Sequence, residues 1–264
     1  MSDIIAERSG NILRILLNRP DKKNAMTSSM YVTMADLLND AETDDRVRVV
    51  LWHGVGDSFC AGNDVEDFLK NPPGPGESPQ ARLMNAFVSF DKPLVAAVQG
   101  AAIGGGTTML THCDFVYAGE SAKFQMPFIN LGLVPEFGSS YTIPARIGHI
   151  RAAELILLGG PFDAQRAAEL GLVTSVVPDH KLLDTATETV RKLAEKPIGA
   201  LRASKRLMKQ FSREQLKQAI KAEGQEFALR VRSAEATEAF TAFLEKRPPD
   251  FASIKEAATT PGLF

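Results

Sequence analysis

Residues 94–106 read LVAAVQGAAIGGG, and this stretch decides the fold class. Its first part, Leu94 to Val98, is a short apolar run that predicts a buried strand. Three glycines at 104–106 then open a predicted helix that continues to His112. A strand that leads directly into a helix is the repeating unit of an α/β fold with parallel strands.

The same alternation recurs along the N-terminal body of the chain. Further buried strands are predicted over Asn11 to Leu17, Val47 to Trp52, Asp114 to Tyr117 and Val173 to Val177. Helical periodicity is found over Ser28 to Ala41 and, after Lys181, over Leu182 to Leu193, Ile198 to Phe211, Arg213 to Val231 and Ala234 to Leu244. We therefore expect an α/β core at 1–195 and a C-terminal helical region at 196–264.

The overall charge limits the class of partner. A net charge of −2 over 264 residues argues against a dedicated nucleic-acid or anionic-membrane binder. Two basic runs occur, Arg202 to Lys209 and Arg230 to Arg232, but both alternate with apolar positions. This pattern favours solvated helix faces over a binding stripe for nucleic acid.

Several features predict a cytoplasmic protein. Only two cysteines are present, Cys60 and Cys113, which indicates a reducing compartment. No apolar run reaches the length of a membrane span, and we expect no signal peptide at the N-terminus. The C-terminal Pro261 to Phe264 is not a peroxisomal tripeptide signal. Residues Asn71 to Pro79, rich in Pro and Gly, predict a mobile surface loop.

Two glycine-containing loops follow predicted strands. One is Ser58 to Asp64, and the other is Gly100 to Gly106. Small residues let backbone N–H groups face a ligand, and a helix N-terminus adds a positive dipole end. Two such loops could direct two N–H donors at one oxygen, as in an oxyanion hole. For either loop alone, a tight turn with close helix packing is the favoured explanation of the glycines.

Glu136 is a carboxylate among apolar and small residues, between Pro135 and Phe137. Burial there would raise its pKa and suit it to act as a general base near neutral pH. An acid at a helix start is the alternative, because Gly138 follows and acids favour helix N-termini. Both interpretations are open from the local sequence.

Other catalytic and cofactor motifs are missing. Ala102 interrupts the dinucleotide pattern G-x-G-x-x-G, and neither a P-loop nor a G-x-S-x-G nucleophile motif occurs. The four histidines are widely spread and form no metal-binding pattern with the cysteines. His112 and Cys113 are adjacent, which favours core packing over a nucleophile–base pair. We expect neither a metal nor a separate cofactor.

Several segments, in order along nearly the whole chain, resemble the crotonase (enoyl-CoA hydratase/isomerase) superfamily. They are Leu17 to Met26 (LNRPDKKNAM), Phe59 to Asp64 (FCAGND), Gly100 to Gly106, Cys113-Asp114, Gly171 to Val173 and Phe243 to Pro248 (FLEKRP). The resemblance implies an α/β protein with a crotonase-like ββα spiral core. It also implies a C-terminal helical region that completes homotrimers, often paired into hexamers, and an acyl thioester of coenzyme A as substrate.

The resemblance also assigns site residues. The thioester oxygen would lie between the N–H groups of Asn63 and Gly105, although the family usually has Ala-Asp where this chain has Asn63-Asp64. The positions that match coenzyme A contacts are Lys22, Lys23, Ala25, Ala61, Asp64 and Val65. Further substrate contacts are expected at Gly104, Thr108, Phe128 and Pro135.

The departures from the family pattern point to one reaction. Hydratases of this family carry glutamates at the positions of Thr108 and Phe128, and this chain lacks both. Leu133 to Ser140 instead resembles the Δ3,Δ2-enoyl-CoA isomerases of the peroxisomal type, which use one glutamate at the position of Glu136. The resemblance therefore implies isomerisation of 3-enoyl-CoA in fatty-acid or related acyl-CoA degradation. Hydration or another reaction of the superfamily is the alternative, and a noncatalytic acyl-CoA-binding protein is a more distant one.

Overall fold

The computed structural model describes residues 2–71 and 78–254. Residues 72–77, in the middle of the predicted mobile loop, lie outside the described residues, as does the C-terminal segment that includes Pro261 to Phe264.

The described residues form nine strands and eleven α-helices, with short 3-10 turns between some of them. The strands are β1 (Ile4–Ser9), β2 (Ile12–Leu17), β3 (Val49–Gly54), β4 (Leu94–Val98), β5 (Ala101–Ile103), β6 (Phe115–Gly119), β7 (Lys123–Gln125), β8 (Pro161–Asp163) and β9 (Ser175–Val177). The helices are α1 (Ser28–Thr43), α2 (Val65–Lys70), α3 (Pro79–Ser89), α4 (Gly105–Thr108), α5 (Ser139–Ile147), α6 (His149–Leu157), α7 (Ala164–Glu169), α8 (Leu182–Ala194), α9 (Ile198–Lys209), α10 (Arg213–Arg230) and α11 (Ala234–Glu245).

The main sheet has the strand order β1-β2-β3-β4-β6-β9. From β2 to β9 all pairs are parallel, as the strand–helix alternation predicts. Strand β1 is antiparallel to β2 across a hairpin at Gly10, whose φ is +58°. This edge strand was not predicted. A second, three-stranded sheet of β5, β7 and β8 follows the glycine-rich loop.

Both faces of the main sheet are covered by helices. On one face, Val49 and Val95 pack against α8 through residues such as Ala186. On the other, Trp52 stacks on Phe87 of α3, with ring centroids 5.2 Å apart. A strand that is buried on both faces needs apolar residues at every position. This burial explains why β4 and the first four residues of β3 are all apolar.

The predicted helix over Gly104 to His112 is divided between α4 and a 3-10 turn, Met109–His112. It still begins at the glycine cluster, directly after β5. The C-terminal helices pack on the core: α10 lies against α3 and α5, and α11 lies against the 3-10 turn Ile129–Leu131. In the parts of the chain that the structure describes, no helix is both long enough and apolar enough to span a membrane.

The basic run in α9 does not form the solvated face that its pattern predicts. Lys205 is buried, and its Nζ donates to Asp114 Oδ2 and to the carbonyl of Lys92, each at 2.7 Å. Met208 and Phe211 are instead exposed, each at 82%. The interpretation is therefore wrong for Lys205, because periodicity alone does not tell which side of an amphipathic helix faces the body.

Candidate active site

Two neighbouring parallel strands bring the predicted N–H loops together. Strands β3 and β4 end at the same edge of the sheet, and the loops that follow them are joined by backbone hydrogen bonds. Phe59 N donates to Gln99 O at 2.7 Å, and Cys60 N donates to Ala101 O at 2.8 Å. The two loops therefore form one rigid rim.

Asn63 and Gly105 line the same cavity, which has a volume of about 430 Å³. Within residues 2–71 and 78–254, neither N–H group has a hydrogen-bond acceptor. Backbone donors in such a place are normally paired with protein or with a ligand. Two free donors on adjoining loops are the arrangement that an oxyanion hole requires.

All three glycines of the cluster are required by geometry, since a Cβ on Gly106 would lie 2.5 Å from the carbonyl oxygen of Cys60. Gly104 has φ +56° and ψ −120°, a conformation that residues with a side chain rarely adopt. A Cβ on Gly105 would lie 3.0 Å from Glu136 Oε1 and 3.3 Å from Tyr31 Oη. The backbone at Gly105 thus approaches the Glu136 carboxyl closely because no side chain intervenes.

Glu136 is buried beside this glycine, and its Oε1 has no hydrogen-bond partner among the described residues. Burial raises the pKa of its carboxyl to about 8, and the neighbouring Glu223 carboxyl adds to the rise. A buried, unpaired carboxyl at the wall of a cavity has the basicity of a general base that works near neutral pH.

Two other titratable groups lie near Glu136, and both are neutral near pH 7. Burial raises the pKa of Tyr31 well above its ordinary value and that of Cys60 to about 12. The Tyr31 hydroxyl donates to Asn63 Oδ1 at 2.6 Å and so fixes the side chain of Asn63. Glu136 is therefore the one ionisable group among these three that can accept a proton near neutral pH.

The C-terminal helices complete the site. Phe227 of α10 and Phe240 of α11 line the cavity, and both pack on Phe68 with ring centroids 6.1 Å and 5.8 Å away. A second cavity of about 720 Å³, between α3 and α10, also reaches Glu136 and is lined by Glu223. These contributions were not predicted. Ile220, Glu223 and Phe227 recur at helical spacing, so a carboxylate within an apolar stripe is the signal that could have found Glu223.

Some of the predicted coenzyme A contacts line the cavity and others lie beside it. Ala61 and Val65 line it. Lys22 and Lys23 are exposed in a turn held against the rim, because Ala61 N donates to Lys23 O at 2.9 Å. Half-buried Ala25 lies in the same turn and, like the two lysines, is not part of the cavity wall.

Asp64 also lies outside the cavity wall, at the start of α2. Its carboxylate caps the helix by accepting from Asp67 N at 3.1 Å, and it pairs with Arg19 Nη2 at 3.0 Å. Burial opposes ionisation of Asp64, but the hydrogen bond from Asp67 N and the pairing with Arg19 together lower its pKa. Asp64 therefore ties the turn of the N-terminal motif to the Asn63 loop.

Of the remaining predicted substrate contacts, some line the cavity and others do not. Gly104 and Phe128 line the cavity, whereas Thr108 and Pro135 do not. Thr108 is buried, and its hydroxyl lies 3.3 Å from the carbonyl of Gly104. Leu133 also lines the cavity.

His112 and Cys113 are buried away from the cavity. His112 Nε2 donates to the carbonyl of Phe137 at 2.8 Å, and burial lowers the pKa of the imidazole to about 3. Burial raises the pKa of Cys113 to about 12. A protonated thiol beside a neutral, hydrogen-bonded imidazole is a packing arrangement and not an activated nucleophile.

In the described parts of the chain, no group of three or more His, Cys, Asp or Glu side chains is placed to hold a metal ion.

Comparison with known proteins places the chain in a family. Residues 7–254 match the family described as Enoyl-CoA hydratase/isomerase. The chain is 35% identical to a 1,2-epoxyphenylacetyl-CoA isomerase of Escherichia coli, over 95% of this chain and 98% of that protein. It is 36% identical to Enoyl-CoA delta isomerase 2 of Rattus norvegicus, over 93% of this chain and 64% of that longer protein.

The fold has close counterparts among solved structures. The structure of Pseudomonas aeruginosa OdaA superposes with a TM-score of 0.89 at 46% identity, covering 92% of this chain and 99% of that one. Relatives of comparable similarity include proteins named as isomerases and proteins named as hydratases. The chain has the predicted crotonase fold and belongs to the enoyl-CoA hydratase/isomerase family, whose enzymes act on acyl-CoA thioesters.

Proposed function

We propose that the protein isomerises 3-enoyl-CoA to 2-trans-enoyl-CoA with Glu136 as the single base. The observation that carries this proposal is the isolation of Glu136. Among the described residues that line the cavity, it is the one carboxylate, and it lies next to the free N–H of Gly105. A shift of a double bond within one molecule needs one group that accepts and returns a proton.

The mechanism follows from this placement. The thioester oxygen accepts hydrogen bonds from the N–H groups of Asn63 and Gly105. Glu136 removes a proton from C2, and the electrons of that C–H bond form a dienolate whose charge collects on the oxygen. Each such donor is worth about 2.7–4 kcal/mol of the barrier. The protonated Glu136 then delivers the proton to C4, which leaves the double bond between C2 and C3.

The same geometry disfavours efficient hydration. Adding water across a double bond needs a base for the water and an acid for the carbon. Phe128 and Thr108 occupy the positions of the two hydratase glutamates, and neither can replace a carboxylate. Weak hydration with Glu136 as sole base is the second candidate. A noncatalytic acyl-CoA-binding role is the third, and the basic, unpaired Glu136 argues against it.

Coenzyme A would enter as part of the substrate. We place its contacts along Lys22, Lys23 and Ala25 at the outer rim and along the loop from Ala61 to Val65. The exposed ammonium groups of the two lysines suit the phosphates of the nucleotide. The apolar wall, which includes Phe68 and Phe240, suits the acyl and pantetheine chains.

The family resemblance also leads us to propose a homotrimer, alone or paired into a hexamer. Leu207, Met208 and Phe211 are all more than half exposed at the end of α9. Grouped exposed apolar side chains usually mark a protein interface. Copies of the same chain are the occupant that the family pattern implies. The cytoplasmic location and the role in fatty-acid degradation stay predictions.

The reaction class is tested by offering the purified protein 3-enoyl-CoA and 2-enoyl-CoA separately and identifying the products. An isomerase converts the 3-enoyl substrate to the conjugated 2-trans product and produces little 3-hydroxyacyl-CoA from the 2-enoyl substrate. Rapid hydration of 2-enoyl-CoA would contradict the proposal. Binding of both thioesters without turnover would indicate the noncatalytic role.

A further inference from the structure

Helix α10 places a second carboxylate against the Glu136 loop. Leu216 and Ile220 of this helix pack over Gly138, where a Cβ would lie 2.3 Å from the Leu216 side chain. Glu223 lies on the same face, one turn further along, and is buried. A charge in this position needs partners, because an unpaired buried carboxylate is costly.

Its partners are the backbone of the segment that follows Glu136. Gly138 N donates to Glu223 Oε2 at 2.7 Å, and Ser140 N donates to Glu223 Oε1 at 2.8 Å. Helix α5 begins here with no side-chain cap of its own. The first N–H groups of a helix need an acceptor, and a carboxylate suits the positive end of the helix dipole. Glu223 thus caps α5 from another helix.

The backbone between Glu136 and this cap is strained. Phe137 has φ +59° and Gly138 has φ +70°, so two consecutive residues are left-handed, and Phe137 has a side chain. A left-handed, non-glycine residue persists only where its surroundings hold it. The carbonyl of Phe137 is held by His112, and the N–H of Gly138 is held by Glu223.

We propose that Glu223 is a positioning residue: it holds the strained turn that presents Glu136 to Gly105, and it lines the second cavity together with Glu136. This inference rests on the proposed role of Glu136. It gives the C-terminal helical region a role in catalysis within the same chain. Glu223 does not touch the cavity that Asn63 and Gly105 line, so it acts through the backbone and through its charge.

Of the titratable groups around Glu136, Glu223 is the one whose charge raises the pKa of Glu136. Tyr31 from α1, Cys60 from the rim loop and His112 from the 3-10 turn are all buried, and their pKa shifts keep each of them neutral near pH 7. Three exposed cations line the second cavity, Lys217 and Lys221 of α10 and Arg232 just after it. Solvent screens exposed charges far more than buried ones. Burial and the Glu223 carboxyl are the two causes of the raised pKa of Glu136.

The test compares wild type with Glu223→Gln, which keeps the side-chain volume, removes the charge and offers one oxygen in place of two. We expect kcat for 3-enoyl-CoA to fall at least about tenfold, with KM changed by less than about threefold. The acidic limb of the kcat/KM profile should move to lower pH, because the Glu223 carboxyl is one cause of the raised pKa of Glu136. Hydrogen exchange of the Gly138 and Ser140 amides should become faster.

Glu226→Gln is the matched control on the same helix, since Glu226 makes a partly exposed i,i+4 pair with Arg230. It should leave the rate, the pH profile and the exchange unchanged. If Glu223→Gln does not fold, Glu223→Asp replaces it: this variant keeps the charge but is one methylene shorter, so exchange should accelerate while the acidic limb stays near its wild-type position.

Two results would overturn the inference. One is a Glu223→Gln pH profile that superposes on the wild-type profile, and the other is unchanged exchange at Gly138 and Ser140. Hydrogen exchange does not depend on the reaction. If wild type proves not to be an isomerase, faster exchange in Glu223→Gln still supports the positioning role, and the failure is then that of the proposed function alone.

Discussion

At the scale of single residues, the buried carboxyl of Glu136 links pH to stability. Its pKa is about 8 in the folded protein, whereas the ordinary value is 4.5. Between these values the folded state holds a proton that the unfolded state releases, so the free energy of unfolding falls as pH rises from about 4.5 to about 8. The slope from this group is at most about 1.4 kcal/mol per pH unit.

A glutamine side chain does not titrate. The free energy of unfolding of Glu136→Gln should therefore fall less than that of wild type across this pH window. Urea denaturation at several pH values from 5 to 8 measures the difference. Burial also raises the pKa of Glu223, whose contribution has the same sign and is present in both proteins. Parallel curves for the two proteins would contradict the raised pKa.

Gly105→Ala tests the close approach of the backbone to Glu136. The new Cβ would lie 3.0 Å from Glu136 Oε1 and must displace it or the loop. We expect kcat/KM to fall at least about a hundredfold, the loss typical for a disturbed oxyanion hole, while the protein stays folded.

Gly224→Ala on α10 is the control for Gly105→Ala, since nothing lies within 4 Å of its added Cβ. It should stabilise the helix by up to about 1 kcal/mol and leave turnover unchanged. A Gly105→Ala enzyme with wild-type activity would refute the assignment of this loop.

At the scale of elements, the attachment of α9 to the core depends on a buried ion pair. Lys205 Nζ donates to Asp114 Oδ2, and the same oxygen accepts from Leu94 N at 2.8 Å, so the pair joins α9 to the start of β4. Removing one partner leaves the other charge buried. Lys205→Met should therefore lower the free energy of unfolding by about 3–5 kcal/mol.

Arg206→Met is the matched control, since the Arg206 side chain is 52% exposed and lies 3.8 Å from Asp91. Its effect should be below about 1 kcal/mol. Urea denaturation measures both variants, and equal losses would show that Lys205 makes no special contribution.

The strands of the two sheets differ in how readily the sequence predicts them. β4 and the first four residues of β3 are continuous apolar runs because helices cover both faces of the sheet, and this signal is strong. β2 is apolar except for Arg14. β1 is mostly exposed at the edge and carries polar residues, so its pattern resembles a loop. β5, β7 and β8 have three residues each, which is too short for any periodicity to appear.

The residues of the candidate site also differ in how readily the sequence predicts them. Asn63, Gly105 and Glu136 lie in motifs with a recognisable order, and the structure brings them to one cavity. Glu223 and Phe227 come from a helix whose charged residues suggest a solvated surface. Which face of α10 turns inward depends on contacts with α3 and α5, distant in sequence, and a single helical pattern does not contain that information.

At the scale of the whole molecule, the exposed end of α9 should make the protein a trimer. Met208→Glu combined with Phe211→Glu places two charges in this apolar group and should give a folded monomer. Light scattering coupled to size-exclusion chromatography measures the mass, which for wild type should be three or six times the 28.6 kDa of one chain.

Ile150→Glu serves as the control for this double variant, because Ile150 is 85% exposed on α6, a different part of the surface. It should keep the mass of wild type. A monomeric wild type at every concentration, or a double variant that retains the wild-type mass, would contradict the assignment of α9 to the interface.

The central claim is that one carboxylate performs the chemistry, and the most direct test is the rate of Glu136→Gln with 3-enoyl-CoA near pH 8. Glutamine keeps the shape but accepts no proton at this pH. We predict that kcat/KM falls at least about a thousandfold with thioester binding retained, as expected for loss of an essential base. A kcat/KM within tenfold of wild type would contradict the account.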